Sequence, residues 1–144
     1  MDYKKKELCR IRTISFFLTL HKDKSQWESA LYSVKRDVDL LLPAVQKAGY
    51  TLQSIRVITN PFGEYLDLTN LQTVKADLQY LTELLNKFNE SGIRIRFAIG
   101  AARNTEEIAL LPELIAAYGD LCNACVNVPL DENGVLDNEL IEQS

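Results

Sequence analysis

The chain has 144 residues, of which 47% are hydrophobic and 25% charged, with a net charge of −4 and a pI near 5.0. These values suit a single soluble globular domain spanning 1–144, long enough to bury roughly 70% of its unfolded surface. They exclude the basic stripe of a nonspecific nucleic-acid binder, and no apolar run approaches the ~20 residues that span a bilayer, so neither nucleic acid nor membrane is expected as a partner.

The N-terminus carries Lys4-Lys5-Lys6, a short basic run that reads as a frayed end. No signal peptide is expected: residues 1–8 are charge-rich, and the apolar run Ile14–Leu20 soon ends at His21 and Lys22. Three cysteines, an odd number, point to a reducing cytoplasm rather than a disulfide framework.

Arg10–Leu20 is β-branched and aromatic, which predicts a first strand. Ser25-Gln26-Trp27-Glu28 has the spacing of a capping box. It opens a helix whose Trp27, Leu31, Val34, Val38, Leu41, Val45 and Ala48 share one face. Gly49 stands where a left-handed residue closes a helix. Pro43 is expected to kink that helix or split it. Leu52–Asn60 is a second strand, ending abruptly at Asn60-Pro61. Thr69-Asn70-Leu71-Gln72 is a second capping box. It leads a helix with Leu71, Val74, Leu78, Leu81, Leu85 and Phe88 on one face, ending near Gly92.

Ile93–Gly100 is a third strand. Asn104-Thr105-Glu106-Glu107 caps a further helix, and Pro112 reads as the first residue of a separate one over Pro112–Tyr118. Cys122–Val128 is a fourth strand, Asp131–Gly134 a turn, and Leu136–Ser144 the start of another helix. The order βαβαβαβ predicts an α/β fold with parallel strands and right-handed crossovers.

The strands alternate where doubly covered strands would be continuously apolar. Arg94 and Arg96 oppose Ile93, Ile95, Phe97 and Ile99, and Arg12 and Arg56 are read in the same manner. Helices are therefore expected mainly on one face, with arginines on the other. Either these arginines pair with acids at the rim, or that face meets a second chain, a homo-oligomer partner or a missing part of the fold.

The segments IRTISFFLTL, SIRVITNPFGEYL (54–66) and LLPELIAAYGDLCNACVNVPLDENGV (110–135) resemble the N-terminal part of domain of unknown function 711, also called UPF 0210. The resemblance is strongest where the second strand runs into Thr59-Asn60-Pro61-Phe62. It implies a chain covering about the first third of a much longer protein and part of an α/β barrel like that of the glycyl-radical enzymes such as pyruvate formate-lyase. It supplies no established activity and no cofactor, and this chain holds no glycyl-radical loop.

Parallel α/β folds place ligands at the carboxyl ends of their strands. Those ends offer Thr19 and His21, Thr59 and Asn60, Gly100 to Arg103, and Asn127. Small residues at Gly100-Ala101-Ala102 let a ligand approach the backbone, and Arg103 precedes a capped helix start that favours an anion. A small anionic ligand held by His21, Thr59, Asn60, Arg103 and Asn127 is the expectation. His21, the single histidine, can serve as a general base. Cys122 and Cys125 stand three apart in extended chain and point to opposite faces, which suits buried structural cysteines better than a disulfide or metal pair. A noncatalytic interaction module is the alternative.

Overall fold

The computed structural model describes residues 10–144. The basic run Lys4-Lys5-Lys6 and Cys9 lie outside them. Five strands and four α-helices follow one another: β1 (Arg10–Leu18), α1 (Trp27–Lys47), β2 (Thr51–Thr59), α2 (Leu71–Phe88), β3 (Ile95–Ala98), β4 (Gly100–Ala102), α3 (Thr105–Tyr118), β5 (Ala124–Val126) and α4 (Asn138–Gln143). All strand pairs are parallel, in the orders β1-β2-β3 and β4-β5. The α/β class and the parallel order follow the sequence reading. There is no closed barrel among the described residues.

The third strand is not continuous. Gly100 takes φ +83°, and there the chain leaves β2 for β5. Its Cα lies so close to the Asn60 carbonyl that a Cβ would sit 2.2 Å from that oxygen. Gly100 is therefore small to admit the backbone of β2, not a ligand.

Register sorts the two sheet faces. Ile14, Phe16 and Leu18 share a face with Ile55, Val57 and Thr59 and with Ile95 and Phe97. This face packs on Trp27, Leu31, Val34 and Val38 of α1, on Val74, Leu78 and Leu81 of α2, and on Ile108 and Leu114 of α3. Trp27 lies edge-on to Tyr65 and stacks on Tyr80. The opposite face presents Phe17, 82% exposed, with Ser15, Arg56 and Arg96 in one row. Arg12 departs from expectation: it alternates with Ile14 and Phe16 on the helical side, where it is exposed.

Both capping boxes at the first two helices shift. Asp23, not Ser25, caps the chain entering α1, through a short 3-10 turn at Lys24–Gln26, and the Ser25 hydroxyl donates to Asp23. Glu28 pairs with Lys87 instead of reaching back. Asn70, not Thr69, caps α2, with Thr73 completing the box. The Thr69 amide and hydroxyl both donate to Asp67, so Thr69 is already used. Asn104 caps α3 as expected. Neither proline divides its helix: α1 runs through Pro43 and α3 through Pro112. An interior proline removes one hydrogen bond, and the flanking turns continue. Gly49 closes α1 at φ +82°.

Candidate functional site

The loops after β1, β2, β4 and β5 form the carboxyl edge. β2 ends because Pro61 has no amide to donate, and the chain turns into a short 3-10 segment, Phe62–Glu64. Thr59, buried, contacts the Tyr65 hydroxyl at 2.9 Å and the Ala98 carbonyl at 3.2 Å, and Tyr65 donates to the Ile99 carbonyl at 3.1 Å. Two hydroxyl protons thus serve three contacts and join β2 to β3. Burial pushes the Tyr65 phenol well above its ordinary range, so it stays a neutral donor.

Asn60 ties β1 to β2. Its Oδ1 accepts from Leu20 N at 2.9 Å, and Nδ2 donates to Leu20 O at 3.2 Å and to Glu64 Oε2 at 2.9 Å. The other Glu64 oxygen accepts from Arg103 Nη1 at 2.7 Å. Arg103 N donates to Glu107 Oε2 at 2.7 Å, and its Nη2 lies 3.9 Å from Glu107 Oε1. Glu107 is 3% exposed and packs on Gly63, where a Cβ would fall 2.0 Å from Oε1.

Asn60 and Arg103 are therefore brought together through Glu64, while Thr59 beside Asn60 is bonded to Tyr65 and Ala98 instead. The side chains of His21 and Asn127 join no hydrogen-bond network among the described residues. His21 contributes its backbone carbonyl to Trp27 Nε1 at 2.6 Å, and Asn127 donates its amide to Ala102 O at 2.8 Å. With Glu64 and Glu107 at −1 each and Arg103 at +1, the network sums to −1, which works against an anion at Arg103.

Beside it opens a cleft of about 470 Å³, lined by Lys22, Lys24, Gly63, Tyr65, Leu66, Asp67, Leu68 and Thr69. Behind it lies Asp77 of α2, 1% exposed. Its Oδ2 accepts from Asp67 N at 2.9 Å, and Oδ1 meets the Lys24 ammonium as a charge contact rather than an aligned hydrogen bond. Asp77 thus fixes both walls of the cleft. Bonds from Thr69, with help from the charges of Lys24 and Lys22, hold Asp67 below the ordinary carboxylate range. Lys22 forms no direct ion pair among the described residues.

Sequence reading missed Glu64, Asp77 and Glu107 as organisers. Asp77 left a signal, a lone acid inside the apolar stripe of Val74, Leu78 and Leu81. Glu107 was read only as the last residue of the Asn104–Glu107 cap. Glu64 left none.

Only Cys122, which precedes β5, is buried; Cys125 within β5 is exposed, so the expectation of two buried cysteines fails for it. Burial pushes the Cys122 thiol up to about 12. No group of three metal-ligating side chains occurs among the described residues, and none of their helices is long and apolar enough to cross a membrane.

The family model described as Uncharacterised ACR (DUF711) matches residues 3–144. The chain belongs to the DUF711 family. No curated protein and no solved structure matches it. The family membership agrees with the Thr59-Asn60-Pro61-Phe62 resemblance; DUF711 names no activity.

Proposed function

We propose that this DUF711 domain binds a small anionic ligand at the carboxyl edge of its parallel strands, in the cleft between the loops after β1 and β2. The observation that carries this reading is the cleft itself. Its volume of about 470 Å³ falls in the range of small-molecule sites, and it opens where parallel α/β sheets hold ligands. Tyr65, Leu66 and Leu68 give an apolar wall. Lys22 supplies the charge, because Lys24 already answers Asp77. His21 adjoins Lys22. Thr59, Asn60 and Arg103 serve as the frame, holding Gly63 and Glu64 in place. Isothermal titration with a panel of small mono- and dicarboxylates and inorganic phosphate tests this. At least one should bind saturably, and Lys22→Gln should weaken it tenfold or more. No binding across the panel, or no ligand in it that Lys22→Gln binds more weakly, refutes the reading.

The uncovered sheet face supports a second reading, an interaction module docking onto another chain or a second copy. Parallel sheets are ordinarily covered on both faces, yet here Phe17 stands 82% exposed. Sedimentation over a concentration series should show self-association that Phe17→Glu abolishes; a monomer throughout removes the second copy as the cover. Reducing cytoplasm is the compartment that fits the unpaired Cys122 and Cys125.

A further inference from the structure

We propose a separate oxyanion site on the uncovered face of the sheet, where Arg56, Arg94 and Arg96 line one cavity. The cavity measures about 160 Å³ and is completed by Phe97, Gly119, Asp120 and Asn123. At about 30 Å³ per water this is room for roughly five waters, enough for a phosphate or small carboxylate and too little for a nucleotide.

The register makes the argument. Arg56 of β2 and Arg96 of β3 are direct cross-strand partners, and Ser15 of β1 completes the row without charge. Like charges directly opposite one another destabilise a sheet. Relief normally comes from a carboxylate, and neither Arg56 nor Arg96 has an ion-pair partner among the described residues. The only acid lining the cavity is Asp120, in the loop after α3. Its side chain is 98% exposed and lies 3.9 Å from Arg94 Nη2. Three guanidinium groups against one carboxylate leave the cavity positive, on a chain whose net charge is −4. Arg56 is half-buried, so water screens it less than a rim residue. Guanidinium forks match the paired oxygens of a carboxylate or phosphate, and the Asn123 amide adds a neutral polar group. Phosphate groups and carboxylates share this oxyanion chemistry.

This site is distinct from the carboxyl-edge cleft, and one titration separates them. The full chain is titrated with inorganic phosphate and with malonate at low ionic strength. At least one should bind saturably; which one does so identifies the source of the oxyanion. In the R56Q/R96Q double variant that binding should weaken tenfold or more, while Lys22→Gln changes it less than twofold. If the double variant does not fold by circular dichroism, the single Arg96→Gln variant is read the same way, with a loss of at least threefold expected. Absence of saturable binding by the wild type, or equal binding by the arginine variants, overturns the proposal. Loss in Lys22→Gln with retention in R56Q/R96Q also overturns it, and leaves the carboxyl-edge reading intact.

Discussion

Gly100→Ala should be among the most damaging single-methyl changes in this protein. Gly100 has φ +83°, and an added Cβ would lie 2.2 Å from the Asn60 carbonyl oxygen, 2.7 Å from its carbon and 2.9 Å from the Thr59 oxygen. These are backbone atoms, so no flexible side chain can swing away. They are also tethered, since the Asn60 side chain holds Leu20 and the Thr59 hydroxyl holds Tyr65. Left-handed strain costs about 1–3 kcal/mol, and overpacking roughly 1–3 kcal/mol more. A combined loss of about 2–6 kcal/mol is a large share of the 5–15 kcal/mol typical of a domain. At roughly 3 °C per kcal/mol for a chain of this size, the midpoint should fall by about 6–18 °C. Gly134→Ala is the control. It has φ +76° but nothing within 4 Å of its Cβ position, so only strain remains, about 1 kcal/mol. Urea unfolding followed by the fluorescence of Trp27, which is fully buried, measures both. Equal losses in the two variants would refute the close crossing of β2 and β4.

Asn60→Ala should cost about 2–3 kcal/mol in the same assay, because Leu20 N is left buried without an acceptor and Glu64 loses one of its two partners. A loss below about 0.5 kcal/mol would show that the β1–β2 tie is not formed. Asp77→Ala should cost roughly 2 kcal/mol, chiefly through the orphaned Asp67 amide, since Lys24 is half exposed and can rehydrate; no loss would mean Asp77 does not hold the cleft walls. Cys122 makes stability pH-dependent in alkali. Burial pushes its folded thiol up to about 12 from an ordinary 9.0, so the unfolded chain loses its proton first. The stabilisation is whole below pH 9 and is lost as pH rises from about 9 toward 12, by at most about 1.4 kcal/mol per pH unit. Urea midpoints from pH 8 to 11 should fall more steeply for the wild type than for Cys122→Ala; parallel curves would contradict the burial. Mass spectrometry after alkylation at pH 8 should find Cys125 labelled in the native state and Cys122 only after unfolding.

The sequence made the helices of the core legible because their apolar periodicity is local. Trp27, Leu31, Val34 and Val38 are buried as their spacing required, and so are Val74, Leu78 and Leu81. Caps were harder, because neighbouring Asx and hydroxyl groups compete for the same amides, and a carboxylate two residues upstream won at Asp23 and Asp67. The break at Gly100 depends on a contact with Asn60, forty positions away, which no local pattern encodes. The same is true of Glu64, joined to Arg103 across thirty-nine residues. Arg12 was misplaced because alternation fixes the face of a residue only relative to its own strand; the pairing of β1 with β2 decides which face that is.

Location at a ligand-bearing edge and availability for a ligand are separate properties, and this protein separates them. Asn60 spends its amide on Leu20 and Glu64, Thr59 its hydroxyl on Tyr65 and Ala98, and Arg103 its guanidinium on Glu64 and Glu107. Such groups would have to break internal bonds to bind anything, at a cost that a neutral or anionic ligand facing two carboxylates does not recover. Among the described residues, the side chains of Lys22 at the cleft and of Arg56 and Arg96 on the sheet hold no hydrogen bond or ion pair that a ligand would have to break. For these, an arriving oxyanion would relieve repulsion or supply a missing partner. Hydrogen-bond satisfaction, rather than position along the strand, therefore selects the residues to mutate first.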